Sequence, residues 1–113
     1  MRLSVQEDSA DLLLVKCAGE VSQNDFGADD PLAKLIGPAG FRRRVLLNFD
    51  QAALIDSSGV SWLIIWHKRC LERGGRLVIF AVPPLVDQVF QLLKMHRVLC
   101  IRPDEAAART VEG

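Results

Sequence analysis

Apolar and polar positions change rhythm along this chain, and the changes mark its elements. From Leu3 to Glu7 they alternate, as in a half-buried strand. Asp8-Ser9-Ala10-Asp11 is turn-forming, and Leu12 to Ala18 is a nearly continuous apolar run, so the two segments predict a hairpin ended by Gly19-Glu20-Val21. Asp30 can cap a short helix that starts on Pro31 and runs to about Ile36, where Gly37-Pro38-Ala39-Gly40 stops it. Val45 to Phe49 is apolar at nearly every position, as expected of a strand covered on both faces, and Asp50-Gln51-Ala52 leaves it. A helix is predicted from about Ser58 to Arg73. Its stripe of Val60, Leu63, Ile64, His67, Cys70 and Leu71 should face a sheet, and Gly74-Gly75 ends it. Arg76 to Val82 reads as a strand. Pro83-Pro84 opens a helix to about Met95 with Leu85, Val89 and Leu92 or Leu93 inward. Val98 to Ile101 is a last short strand, and Asp104-Glu105 begin an alanine-rich terminal helix.

Strand and helix alternate from residue 45 onward. That pattern predicts an α/β fold with a parallel core and right-handed crossovers, made mixed by the N-terminal hairpin. At 113 residues the chain is expected to form a single domain, 1–113.

The most informative stretch is Leu54-Ile55-Asp56-Ser57-Ser58-Gly59-Val60-Ser61, between the apolar strand and the apolar helix. A polar turn at a helix mouth presents hydroxyls beside orphan N–H donors and the positive end of the helix dipole, so it suits added negative charge. Alone, Asp-Ser-Ser-Gly is a weak signal. Asp56 or Ser57 could cap the helix, Ser58 is the expected cap, and Gly59 could allow close packing.

The wider order of features resembles the STAS domains, the anti-sigma-factor antagonists and their relatives. It comprises the strand, Asp56-Ser57-Ser58-Gly59, the helix carrying His67-Lys68-Arg69, then Gly74-Gly75-Arg76-Leu77-Val78-Ile79 and Pro83-Pro84. The resemblance runs from about Val45 to Ala108, and more weakly over Leu3 to Glu20. It implies a mixed sheet with a parallel core flanked by helices. It also implies that Ser57, the serine directly after the aspartate, is the phosphorylated residue. Asp56, Ser57, Ser58, Gly59 and Trp62 would then form the partner-binding surface, with Gly59 keeping the turn open to another protein's active site. Two features depart from the family. Ser61 stands where a second glycine is common, and the 22–40 segment, with Ser22-Gln23-Asn24-Asp25-Phe26-Gly27, replaces a longer helix.

Composition changes this picture mainly by exclusion. Formal net charge is zero, which gives nucleic-acid binding no electrostatic support. There is neither a long apolar run nor a signal-peptide pattern at Met1-Arg2-Leu3, so a cytoplasmic protein without membrane insertion is expected. Cys17, Cys70 and Cys100 are widely spaced, and neither His67 nor His96 has a histidine neighbour at ligand spacing. No metal and no cofactor is expected. Arg42-Arg43-Arg44 is read as a solvated strand entrance rather than a partner patch. Trp66 is assigned to the core, and Trp62 is left open between core and interface.

The implied function is that of an anti-sigma-factor antagonist. With Ser57 unphosphorylated it binds an anti-sigma factor that is also a serine kinase of the histidine-kinase-like ATPase class. Phosphorylation of Ser57 releases that partner, and a serine phosphatase resets the switch. The alternative is a constitutive STAS adaptor, such as a subunit of a lipid-transport ATPase or a signalling scaffold. A hydrolase using Ser57 with His67 or His96 is disfavoured, because no Gly-x-Ser-x-Gly elbow surrounds Ser57. Whether the chain forms a homodimer is left open.

Overall fold

The structure is a computed structural model and describes residues 2–21 and 30–111; the atypical stretch 22–29 lies outside the described residues. Five strands form one sheet in sequential order: β1 (Arg2–Asp8), β2 (Leu12–Val21), β3 (Arg44–Ile55), β4 (Arg76–Phe80) and β5 (Cys100–Arg102). β1 and β2 are an antiparallel hairpin, and β2, β3, β4 and β5 run parallel. The helices are α1 (Pro31–Gly40), α2 (Ser57–Glu72), α3 (Pro84–Leu92) and α4 (Glu105–Arg109). The expected mixed α/β sheet with a parallel core is therefore present.

Alternation along the strands builds two cores. Leu13, Val15, Val45, Leu47, Leu77 and Ile79 face a layer made of α1, α2 and α3, which contribute Leu32, Leu63, Trp66 and Phe90. Their neighbours Leu12, Leu14, Leu46, Val78 and Phe80 face the other way, where α4 closes the smaller core with Ala108 and, just beyond it, Val111. Both faces of the sheet's centre are thus covered, which explains the apolar runs of β2 and of the first half of β3, while the edge strand β1 stays largely exposed.

Several boundaries and faces differ from the sequence-based expectation. β3 does not end at Phe49. Gln51, Ala52, Leu54 and Ile55 continue to pair with Ala18, Gly19, Glu20 and Val21 of β2, across register shifts that absorb the extra residues. α1 breaks at Gly37, whose φ is +70°, and a further turn from Pro38 follows it. β4 stops at Phe80 because Ala81 takes a positive φ of 56°. α3 stops at Leu92, and a 3-10 turn over Met95–Arg97 precedes β5. The inner face of α3 is Val86 and Phe90, with Val89 packed beside them. Leu85, Leu92 and Leu93 are exposed, so the expected stripe is rotated by about one residue. On α2, Trp66 is fully buried as expected, whereas Leu71 is exposed.

One carboxylate fastens α1 to α2. Asp30, only 11% exposed in its side chain, caps α1 by accepting from the Leu32 and Ala33 N–H groups at 3.0 and 3.1 Å. It also accepts from Trp66 Nε1 at 2.9 Å and from the Arg69 guanidinium, and Arg69 in turn lies over the Phe41 ring. The Asp30 cap was legible in the sequence; its two tertiary partners were not.

Candidate functional site

The carboxyl end of β3 delivers the chain to the first turn of α2. Asp56 is extended (φ −112°, ψ −179°) and is the N-cap. Its N–H donates to the Val21 carbonyl at 3.3 Å, which ties the turn to the end of β2. Its carboxylate accepts from the Ser58 hydroxyl at 2.6 Å and from the Gly59 N–H at 2.9 Å. These two bonds, the Ser58 hydroxyl first, hold the Asp56 pKa below the usual carboxylate range. Asp56 rather than Ser58 is therefore the cap, and Ser58 supports it as a donor.

Ser57 is the first helical residue, and its side chain is exposed. Its carbonyl accepts from the Ser61 hydroxyl at 3.0 Å, so Ser61 folds back along the helix. Gly59 is buried and has an inward role. A Cβ built there would lie 2.1 Å from the Val21 carbonyl oxygen, so the absent side chain lets α2 start flush against β2. This replaces the expectation that Gly59 opens the turn outward. Trp62 is half-buried. Its ring packs 6.0 Å from that of Trp66, leaving one aromatic edge one turn along from Ser58.

Sequence reasoning missed a shallow groove of about 190 Å³ beside the turn, lined by Glu20, Val21, Leu54, Ile55 and Asp56. Leu54 is 50% exposed at its edge. The signal was present in the apolar Leu54, but it is hidden when residues 50 to 54 are read as loop.

Among the described residues no other group at this turn is arranged for covalent chemistry. His67 lies ten residues along α2 from Ser57, about 15 Å at helical rise. Burial and then the Arg76 charge lower its pKa, which favours neutral imidazole. His96 Nε2 lies 3.6 Å from the Asp87 carboxylate of α3. Burial pushes the Cys17 and Cys70 thiols up to about 12. Among the described residues no cluster of three His, Cys, Asp or Glu is placed to hold a metal, and no helix is long and apolar enough to cross a membrane.

The sequence profile of the STAS domain matches residues 4–108, and the chain belongs to that family. Solved structures agree in fold. A candidate anti-sigma factor antagonist from Thermotoga maritima superposes with a TM-score of 0.82 at 15% identity, covering 95% of this chain and 91% of its own. The anti-sigma factor antagonist SpoIIAA in its unphosphorylated form gives 0.72 at 16% identity, covering 99% and 100%. The Bacillus cell-fate determinant SpoIIAA in its phosphorylated form gives 0.63 at 17%, covering 98% and 100%. At such identities these likenesses describe the fold.

Proposed function

We propose that this STAS domain is an anti-sigma-factor antagonist that works by partner switching, with Ser57 as the phosphorylated residue. The observation that carries this reading is the division of labour at the first turn of α2. The Asp56 carboxylate is turned back onto the Ser58 hydroxyl and the Gly59 N–H, while the Ser57 hydroxyl is exposed. One hydroxyl is thus free for a kinase without dismantling the helix start. SpoIIAA, a protein of the same fold, exists in both unphosphorylated and phosphorylated forms, which supports a phosphorylation switch on this fold.

A phosphate on Ser57 adds roughly −1.5 to −2 charges and three acceptor oxygens. The Gly59 donor beneath it is already occupied by Asp56, so most of this charge stays at the surface, next to a second fixed negative charge. A partner face shaped for a neutral hydroxyl, with apolar contacts to Leu54 and Trp62, would be repelled. The proposed partner is a cytoplasmic anti-sigma factor and serine kinase of the histidine-kinase-like ATPase class. It supplies the nucleotide, and a serine phosphatase reverses the change. The STAS domain itself catalyses nothing and needs no cofactor.

Binding of that kinase to wild type, Ser57→Ala and Ser57→Asp tests the switch. Wild type and Ser57→Ala should capture it, and Ser57→Asp should lose it. Equal capture by all three would favour the constitutive-adaptor alternative, whose contact would centre on Ser61 and Trp62.

A further inference from the structure

The parallel strands give the sheet two poles. Ser57 occupies the carboxyl end of β3. The amino ends of β3 and β4 meet at the opposite pole, where Arg44 pairs in register with Arg76. A cavity of about 510 Å³ opens there, between the β1–β2 turn, the turn before β3 and the turn after α2. Arg42, Arg43, Arg44, Asp11, Gly74 and Gly75 line most of it. The volume is that of a small-molecule site.

Two of the three guanidiniums are anchored. Arg43 is held by Asp8 and by the Ser9 carbonyl at 2.9 Å. Arg44 donates to the Arg109 and Val111 carbonyls at 2.7 and 3.0 Å and lies 3.6 Å from Asp11. Asp8 and Asp11 offset these two charges. The Arg42 guanidinium is exposed and has no hydrogen-bond or ion-pair partner among the described residues, so the cavity keeps a surplus of positive charge.

The turn after α2 adds bare backbone packed directly against the arginine turn. A Cβ on Gly75 would lie 2.2 Å from the Phe41 carbonyl oxygen and 2.4 Å from that of Arg43, so the turn after α2 can reach the arginine turn only as glycine. Gly74, at φ +82°, has open space where its side chain would be. Fixed guanidiniums, one free guanidinium and the open edge at Gly74 form a receptacle for a compact, multiply charged anion. Planar, fork-like donors match phosphate oxygens in particular.

We propose that this cavity binds a phosphate group, free or carried by a small metabolite, at the pole opposite Ser57. The test is titration of the isotope-labelled full chain with inorganic phosphate, pyrophosphate and ADP at constant ionic strength. Amide shifts are followed by NMR and affinities by calorimetry. Saturable shifts of the Gly74 and Gly75 amides are expected. Arg42→Ala should weaken binding about tenfold, the loss of one charge-assisted hydrogen bond, while Arg97→Ala should not. Tighter binding of pyrophosphate or ADP would assign a phosphorylated metabolite; inorganic phosphate binding as tightly as either would assign free phosphate. Three results would each overturn the proposal: no saturation by any probe, the same shifts with sodium chloride, or unchanged affinity in Arg42→Ala. Arg42 is exposed and unbonded through its side chain, so its removal leaves the fold intact.

Discussion

Asp56 and Gly59 show how single residues shape the proposed switch without being its acceptor. Replacing Asp56 by Ala removes the cap and should cost about 1 kcal/mol, and Asn, which also caps, should cost less. The folded pKa of Asp56 is lowered. Its contribution is therefore fully present above the unfolded carboxylate value of about 3.9 and lost as pH falls through the folded value. Urea unfolding of wild type and Asp56→Ala should differ at neutral pH and converge in strong acid. Gly59→Ala places a methyl 2.1 Å from the Val21 carbonyl oxygen, and neither backbone can retreat cheaply. A loss of about 3 kcal/mol in unfolding free energy is expected. The buried thiols act at the other end of the scale. Cys17 and Cys70 are raised to about 12, so their burial favours the fold below the ordinary thiol pKa near ~8.5, and that contribution is lost as pH rises toward 12. Stability should decline over that alkaline window, and a Cys17→Ala, Cys70→Ala double variant should show a shallower decline.

Between elements, Asp30 is the main polar fastening in a core that is otherwise apolar. Asp30→Ala removes the α1 cap and the acceptor for Trp66 Nε1 and Arg69 together, with an expected cost of about 2–4 kcal/mol. A double-mutant cycle with Trp66→Phe should return a coupling of roughly 1 kcal/mol, because the two residues share one bond. Additive effects would show that the Trp66–Asp30 bond contributes nothing to stability. The sequence was most readable where one local rule decides. The hairpin, the Asp30 cap, the start of α4 near Asp104-Glu105, α2, its glycine stop and the start of α3 all follow from periodicity and end signals. It was least readable where a neighbour decides. Gln51 to Ile55 look like loop by composition, yet β2 supplies them with a ladder partner. Leu85, Leu92 and Leu93 form as good a helical stripe as Val86 and Phe90, and only the docking angle on the sheet chooses between them. Arg43 and Arg44 read as solvated charge, but they staple the hairpin and the terminal helix to β3.

At the scale of the whole molecule, the sheet separates two tasks. Its carboxyl pole holds an exposed serine on a capped helix start, beside a small groove edged by Leu54. Its amino pole holds the arginine-lined cavity. The family could be identified from the order of motifs along the chain, and residues 4–108 confirm it. What the order of motifs left open was which residue of the turn caps the helix; the exposed Asp56 carboxylate does so, accepting from Ser58 and Gly59, because the direction of a side chain at a cap depends on where the preceding strand ends. That direction is what leaves Ser57 as the open hydroxyl. The central claim is that Ser57 is the residue a partner kinase modifies, and phosphopeptide mapping tests it most directly. Wild type and Ser57→Ala would each be incubated with the captured kinase and magnesium-ATP, digested and sequenced by mass spectrometry. The account predicts one phosphate, on Ser57, and none in Ser57→Ala. A phosphate on Ser58 or Ser61 instead, or an unmodified Ser57 in a complex that survives ATP, would contradict it.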